Sequence, residues 1–349
     1  MGKQKLSTQY NFFDLLDKMI SQMSAGKKLL PNGKQYSSGT IDNYRHLRRL
    51  LFRFSSEKKF ELKIVDARRL TMRELKVQRN YWKKFYLHFT SFLYNDLNCF
   101  DNFVGSTVKL LRAFFGHLRR DLMIDTGLFY KDFYVRNEQI PVLALTPEQL
   151  RFLIYNKDFE SKLSAQQRKV KDIFVFGCTT ALRFSDLRKL TKGNIVESDN
   201  SYYLFTKSQK TKTYARVKLP DYAVEILKKY KARKTGLLPL MSLDNLNFHI
   251  KQLIEKAGWV EPVKKVREKR GNPKEIRKET ISYRFCDLVS SHTMRRTAIT
   301  TMLTLGVPEH IVRNVSGHAA GSKEFFKYVA IAQIYKDREL DTMFSKLQG

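Results

Sequence analysis

Cysteine is scarce in this sequence, and long apolar runs are missing from it. The 349 residues include only Cys99, Cys178 and Cys286, whose spacing matches neither a disulfide framework nor a metal site. A reduced, intracellular compartment is therefore expected. Neither a signal peptide nor an apolar stretch of membrane-spanning length is found, so the sequence predicts a cytoplasmic protein with no membrane partner.

Acidic residues are also few, because 34 Asp and Glu stand against 65 Lys and Arg. The formal net charge of +31 is of no use to an enzyme of small metabolites, but it suits a polyanion such as DNA or RNA. The basic residues are spread along the whole chain, which favours a protein that surrounds its partner. The length allows two domains with a sizeable core.

Helical periodicity dominates residues 1–136, which we predict to form an all-α domain. Its four amphipathic helices are expected at 10–23, 41–54, 74–95 and 104–122. Basic side chains recur on every helix, and on the second we predict Arg45, Arg48 and Arg49 as DNA contacts. Ordinary solvated faces are the alternative interpretation.

A polar linker is predicted at 137–145, before a capping box that starts at Thr146. Residues 146–349 then combine helices with a small hairpin, whose strands are expected at 202–205 and 214–219. The sequence thus predicts an α+β fold, mainly α with a small β-sheet. The charge run at 263–280 is interpreted as either a solvated hairpin or a DNA-facing loop.

A histidine and an arginine lie three positions apart at the start of a predicted helix, just after two serines that can cap it. These residues, His292 and Arg295, share one face near a helix N-terminus, where backbone N–H groups and a cation form an anion site. Phosphate is the obvious anion. A Gly-His pair that ends at His318 follows, and then Tyr328.

Two further groups of polar residues precede that helix. Arg183 and Asp186 lie three apart after a buried helix, and by themselves they predict no more than a weak surface salt bridge. Lys207, Lys210 and Lys212 occupy the turn of the predicted hairpin, and a flexible turn can present any of the three.

Together these motifs resemble the catalytic boxes of the tyrosine site-specific recombinases, the phage integrase family. The resemblance rests on T-T-A-L-R-F-S-D-L, S-H-T-M-R-R-T, S-G-H and F-F-K-Y-V. The resemblance is weak over 10–135 and strong over 145–349. The residues around these motifs are similar to those in integrases of mobile elements such as conjugative transposons. Those often carry an additional arm-binding domain, for which no room is expected here.

The resemblance implies a SAM-like helical core-binding domain at 1–136 and a catalytic domain at 146–349, which together form a C-shaped clamp on DNA. Tyr328, ten residues after His318, is the implied nucleophile, and Tyr335, seventeen residues after it, is interpreted as structural. Asp186 supports the site, and no metal or cofactor is implied. The implied catalytic residues are Arg183, Lys210, His292, Arg295, His318 and Tyr328. The additional DNA contacts expected around them are Lys207, Lys212 and Arg296.

The implied activity is the cutting and rejoining of double-stranded DNA at attachment or crossover sites, for integration, excision or inversion. It proceeds through a 3′-phosphotyrosyl intermediate and a Holliday junction, on a tetramer. A type IB topoisomerase activity and a non-catalytic DNA-binding factor are the alternatives. A C-terminal apolar stripe packs on its own domain or docks into a neighbouring subunit; it consists of Leu340, Met343, Phe344 and Leu347.

Overall fold

The computed structural model describes residues 9–207, 214–239, 241–278, 281–319 and 321–348. They form two compact units. The first contains residues up to Ile140 together with Val266–Ile276, and the second contains Pro141–Lys265 and the chain from Arg277 onward. The chain thus passes between the units three times, once within the predicted linker. The functional assignment of the two domains stays a prediction.

The first unit consists of helices and one small sheet. Strand β1 (Gln9–Asn11) pairs antiparallel with β2 (Lys63–Val65). The helices are α1 (Phe12–Ser24), α2 (Ser38–Glu57), α3 (Met72–Ser91) and α4 (Asp101–Arg120). All four predicted helices are present, and α3 runs directly into a π-helical turn at Phe92–Asp96.

Aromatic side chains fill the core of the first unit. Phe12 and Phe85 are fully buried, and Trp82 is 2% exposed. The Trp82 ring stacks on that of Phe129, with 5.1 Å between the centroids and 3° between the planes. Rings of this size bury a large apolar area each, so they dominate the packing of this core.

The second unit is mainly helical around a three-stranded antiparallel sheet. The sheet has the order β3 (Ile195–Ser198), β4 (Ser201–Lys207), β5 (Tyr214–Leu219). Its first strand was not predicted. The helices before and after the sheet are α5 (Pro147–Tyr155), α6 (Lys157–Ser161), α7 (Ala165–Thr180), α8 (Phe184–Leu187), α9 (Asp221–Lys229) and α10 (Leu243–Lys256).

In the described part of the C-terminal third, short strands and four helices follow. Strand β6 (Pro262–Val263) pairs with β9 (Tyr283–Arg284), and β7 (Lys265–Lys269) pairs with β8 (Asn272–Ile276). The helices are α11 (Phe285–Leu288), α12 (Ser291–Thr304), α13 (Glu309–Ser316) and α14 (Lys323–Gln348). The predicted α+β fold, mainly α with small sheets, is confirmed.

Helices α7 and α12 pack closely in the middle of the second unit. A β-carbon at Gly177 would lie 2.5 Å from the sulfur of Met294, so glycine is needed for this approach. The backbone N–H of Leu145 donates to Thr297 Oγ1 at 3.0 Å, which attaches the start of the unit to α12. This packing fixes the end of α7, which precedes Arg183, relative to the first turns of α12, which carry Arg295.

The hairpin β7–β8 packs within the first unit, although it belongs to the later part of the sequence. The backbone N–H groups of Arg270 and Gly271, at its turn, donate to the carboxylate of Asp101 at 2.8 and 2.7 Å. Arg267 donates twice to Glu138, at 2.9 and 2.5 Å. The charge run thus forms a hairpin, as one of the two interpretations held, but its turn is bound to protein.

The last described helix, α14, is long. Helix α14 includes both Tyr328 and the predicted apolar stripe. Leu340 is 47% exposed and Phe344 is 51% exposed, whereas the side chains of Met343 and Leu347 lie outside the described part. Among the described residues, no helix has the length and apolarity required to cross a bilayer.

Candidate active site

Arg295 lies at the centre of the predicted site. It is the fifth residue of α12 and is only 3% exposed, so the close packing of α12 on α7 holds its guanidinium inside the protein. Nη1 donates to the backbone oxygen of Ala181 at 2.8 Å. Nη2 lies 3.4 Å from Nε2 of His318 and 3.5 Å from its Nδ1. Two of the predicted residues, distant in sequence, are therefore in contact.

Ala181 forms the turn that brings Arg183 to this place. It ends α7 with φ +55°, in the left-handed region of the backbone that residues other than glycine rarely adopt. The turn points its carbonyl at Arg295, and Arg183 then caps α8. The backbone N–H of Asp186 donates to the oxygen of Arg183 at 2.9 Å, and the Asp186 side chain is buried. Because Asp186 is buried, it does not belong to an exposed salt bridge, which was the alternative interpretation.

His292 and Arg295 share the first turns of α12, as their spacing predicts. His292 is exposed, whereas Arg295 is buried. The N–H of Ser291 donates to Asn247 Oδ1 at 2.8 Å, and that of Ser290 donates to Thr293 Oγ1 at 3.0 Å. Protein groups therefore already satisfy part of this helix N-terminus.

His318 lies two residues beyond the end of α13, after Gly317 turns the chain with φ +64°. The ring of His318 contacts two aromatic rings of α14. Its centroid is 5.5 Å from that of Phe325 and 5.8 Å from that of Tyr328. His318 and the predicted nucleophile are therefore neighbours.

Tyr328 is 5% exposed, and a stack of side chains fixes the start of its helix. Phe325 is fully buried, and the guanidinium carbon of Arg313 lies 3.9 Å from the centroid of its ring. Arg313 also pairs with Glu309 at 3.1 Å. The stack therefore attaches α14 to α13, directly beside the phenol.

Positive charge dominates the electrostatics of these groups. Burial, followed by the charge of Arg183, lowers the pKa of Arg295 to about 10. Burial, and then the charges of Arg295, Arg183, Arg313 and His292, lower the pKa of His318 to about 4. His318 is therefore neutral at pH 7 while Arg295 remains charged. Cations held this close together favour an anion between them.

Burial also raises the pKa of the Tyr328 phenol, and nearby cations oppose this effect. The charges of Arg295, Arg296 and Arg183 each lower its pKa, although the net pKa stays above the ordinary value. The phenol is therefore protonated at neutral pH, and it must lose a proton before it can attack. Arg296, predicted as a DNA contact, lies within electrostatic reach of Tyr328.

The other predicted contacts are only partly described. Lys207, on β4, donates to the hydroxyl of Tyr214 at 3.0 Å, whereas Lys210 and Lys212 lie outside the described residues. In the first unit, Arg45 pairs with Asp42, Arg48 pairs with Asp17, and Arg49 is exposed. Exposed pairs of this kind are weak and can open for a phosphate. The DNA-binding roles of these residues stay predictions.

Sequence reasoning missed several residues that build the site. Ala181 supplies an oxygen to Arg295, Ser316 contacts His318, and Arg313 stacks on Phe325. Ser316 belongs to the S-G-H motif and Ala181 to the T-T-A-L-R-F-S-D-L motif, but neither was assigned a role, and no pattern indicated Arg313. Within the described ranges, no three His, Cys, Asp or Glu side chains cluster as a metal site.

Comparison with known proteins identifies the class. The sequence profile of the phage integrase family matches residues 144–333, more than half of the chain. The chain therefore belongs to the phage integrase family, the tyrosine recombinases. A comparison with curated proteins gives no match.

Solved structures of recombinases share the fold. A Tn1549 transposon integrase in complex with circular intermediate DNA has a TM-score of 0.54 at 16% identity, over 92% of this chain and 98% of that chain. The XerH recombinase bound to a palindromic difH substrate has a TM-score of 0.58 at 15% identity, over 97% and 88%. A lambda integrase dimer bound to a COC′ core site has a TM-score of 0.55 at 13% identity, over 92% and 78%.

Proposed function

We propose that this protein is a site-specific DNA recombinase in which Tyr328 attacks the scissile phosphate and forms a 3′-phosphotyrosyl link. One observation carries the proposal. Arg295, buried and hydrogen-bonded to the turn before Arg183, lies beside His318, whose ring is 5.8 Å from that of Tyr328. A nucleophile, a histidine and guanidinium groups are what phosphodiester transfer requires at one place.

The residue types assign the roles. Arg183 and Arg295 bind the phosphate oxygens on which charge accumulates in the five-coordinate transition state, because a guanidinium is planar and gives bidentate contacts. His292 and His318 hydrogen-bond the phosphate or accept the phenolic proton. Asp186, buried near Arg295 and raising its pKa, supports the cations from behind.

The leaving 5′ oxygen needs a proton, and Lys210 is the proposed donor, with Lys207 and Lys212 as rivals. Lys207 is the last residue of β4, and Lys210 and Lys212 follow it in the sequence before β5. Because the covalent link conserves the energy of the phosphodiester bond, rejoining requires no ATP. Attack by the 5′-hydroxyl of a second duplex exchanges strands and leads through a Holliday junction. No metal is part of the proposed steps.

Charge and fold support a double-stranded DNA partner for both units. The net charge is +31, and we assign the first unit to core-site binding and the second to chemistry. Four protomers act on two duplexes in this proposal. The exposed Leu340 and Phe344 near the end of α14 are candidates for the contact between protomers. The proposed compartment is the cytoplasm, because the substrate is cellular DNA.

A suicide DNA substrate, nicked so that the cleaved strand diffuses away, tests the nucleophile. Tyr328→Phe should abolish the covalent adduct on a denaturing gel while leaving DNA binding intact, because only the attacking oxygen is removed. Tyr335→Phe is the matched control on the same helix and should form the adduct at the wild-type level. An adduct from Tyr328→Phe would show that the nucleophile is another residue.

A further inference from the structure

The three-stranded sheet of the second unit buries one of its faces and leaves the other in solvent. The buried face carries Leu204, Val217 and Leu219, which belong to the core of the unit. Because side chains alternate along a strand, the residues between them point to the opposite side. On that side Phe205 is 42% exposed and Tyr214 is 75% exposed. The proposed reaction gives these two rings no role.

Aromatic rings and cations are paired across the exposed side of β4 and β5. Three cross-strand pairs each join a ring to a cation, and these six residues form the outer face of the sheet: Tyr203 with Lys218, Phe205 with Arg216, and Tyr214 with Lys207. The described strands β3, β4 and β5 contain one acid, Glu197, which lies opposite Tyr202 and alternates to the other side. No carboxylate of these strands therefore offsets the charge of the outer face.

The cations of the outer face lie against its rings. The guanidinium carbon of Arg216 is 3.9 Å from the centroid of the Tyr203 ring and 5.9 Å from that of the Phe205 ring. Nζ of Lys207 is 4.7 Å from the centroid of the Tyr214 ring. Contacts of this kind hold a cation in place without neutralising it. The outer face thus presents positioned positive charges next to exposed rings.

This combination of groups suits unpaired nucleotides. Bases stack on aromatic rings and on guanidinium planes, while cations contact the phosphates between them. Inside a duplex each base is covered by its neighbours, so only an unpaired base can lie on the ring of Phe205. The distance from Tyr203 to Lys207 along β4 is about 13 Å. Sheet faces that carry aromatic residues stack about two or three bases in other folds.

We propose that the outer face is a binding site for single-stranded DNA, in which Phe205 and Tyr214 stack on bases while the cations contact phosphates. This site goes beyond the proposed function, which gives both units a double-stranded partner. It lies beside the proposed active site in the second unit, because α13, which ends two residues before His318, packs against β5.

Strand exchange gives such a site a use. A cleaved strand must leave its own duplex before its 5′-hydroxyl can attack a second one, and its bases are unpaired in between. The outer face holds these bases during that interval. This use rests on the proposed function, whereas the binding of single-stranded DNA does not.

Two fluorescent probes separate the stacking of bases from the attraction of charges. One is a short oligothymidylate, and the other is a chain of abasic sites of the same length, which has the same phosphates but no bases. The full-length protein should bind the oligothymidylate roughly 10-fold more tightly, the value of one stacked base. Phe205→Ala should lose most of this preference. Its affinity for the abasic chain should stay at the wild-type level, which also shows that the variant is folded.

Tyr155→Ala is the matched control. The ring of Tyr155 is 62% exposed and lies in the same unit, but its surroundings include Glu160, Asp221 and Glu225. Because these carboxylates repel phosphates, the variant should keep the wild-type preference for bases. Lys218→Gln should weaken the binding of both probes equally. It should also reduce the slope of log affinity against log salt concentration by about 0.7, the value of one phosphate contact on a single strand.

Photo-crosslinking locates the bases on the protein. An oligothymidylate that carries 5-iodouracil at one position is irradiated in the complex, and the protein is digested. Mass spectrometry of the peptides that carry nucleotides should find the crosslink on Phe205, Tyr203 or Tyr214.

Equal preferences for bases in the wild type and in Phe205→Ala would overturn the proposal, and so would crosslinks found only outside β4 and β5. If Phe205→Ala lost as much affinity for a duplex as for the oligothymidylate, the outer face would bind the backbone of paired DNA, which also contradicts the proposal. If the wild type forms no adduct with a suicide substrate, the proposed function fails, but both probes still report on the outer face. The two failures are therefore distinguishable.

Discussion

The two units of this protein each bury charged groups, but they compensate them differently. In the first unit, Glu138 accepts hydrogen bonds from Arg267 and from the backbone N–H groups of Glu268 and Asn102, at 2.5 to 3.3 Å. In the second unit, Arg295 is buried beside other cations, and the charge of Arg183 lowers its pKa. The first charge is balanced within the protein, whereas the second is held next to charges of its own sign.

The pKa values express this contrast. Burial alone would raise the pKa of Glu138, but the hydrogen bonds from its partners outweigh burial and lower it. Burial and Arg183 both lower the pKa of Arg295, so its charged form is disfavoured in the free protein. Charge at Glu138 therefore stabilises the fold, whereas we propose that the charge at Arg295 is kept for an anion from outside, the phosphate of DNA.

The largest effect is expected for Arg295→Gln. Cleavage should slow by about 10²- to 10³-fold, because a preorganised donor to the transition-state charge is removed. The free energy of unfolding should change by less than about 1 kcal/mol, since loss of the bond to Ala181 is offset by removal of a desolvated charge. Suicide-substrate kinetics and urea unfolding measure the two quantities. If this variant lost much of its stability but cleaved DNA at the normal rate, the charge of Arg295 would serve the fold rather than the reaction.

The next effect is expected for Glu138→Gln, on stability rather than on chemistry. The free energy of unfolding should fall by about 2–3 kcal/mol, because hydrogen bonds to a buried charge are replaced by weaker neutral ones. Urea unfolding in a Trp259→Phe background, followed by the fluorescence of Trp82, reports the first unit. Glu57→Gln, which breaks the exposed pair with Arg53, is the control and should cost under about 1 kcal/mol.

Acid should remove the contribution of the Glu138 carboxylate to the stability of the fold. A carboxyl group whose pKa is lowered in the folded state contributes stability above its unfolded pKa, near 4.5, and that contribution disappears as the pH falls through the folded pKa. The unfolding free energy of the wild type should therefore decline more steeply below about pH 4.5 than that of Glu138→Gln. If the unfolding free energies of the two proteins declined in parallel, stability would not depend on the ionisation of Glu138.

The smallest effect is expected for Arg313→Met, which removes the cation stacked on Phe325. We expect cleavage to slow about 5- to 10-fold, the value of one partly desolvated cation–π contact, because Phe325 supports the rings of His318 and Tyr328. Arg216→Met removes the same contact, also at 3.9 Å, from Tyr203 on the sheet. Equal losses in both variants would show that the Arg313 contact has no special link to the site.

Local patterns predicted the elements well. The capping box at Thr146 and Gln149 starts α5 where the sequence indicated, and the alternation at 214–219 forms β5. The spacing of His292 and Arg295 predicted that they share the start of one helix. These signals are short-range, and the sequence displays them directly.

Long-range features could not be predicted in the same way. Nothing near Asp101 indicates that it binds the turn of a hairpin about 170 residues later. The left-handed turn at Ala181 carries no glycine signal, and the cation–π contact of Arg313 depends on how α13 meets α14. Strand β3 is short and mostly exposed, so it lacks a clear hydrophobic alternation.

The most direct test of the central claim is to identify the residue that becomes joined to DNA. The wild-type adduct with a suicide substrate would be digested with protease and nuclease, and the nucleotide-bearing peptide would be sequenced by mass spectrometry. We predict a 3′-phosphotyrosyl link on Tyr328, beside Arg295 and His318. A link on Tyr335 or on any other side chain would contradict the convergence of these residues on one phosphate.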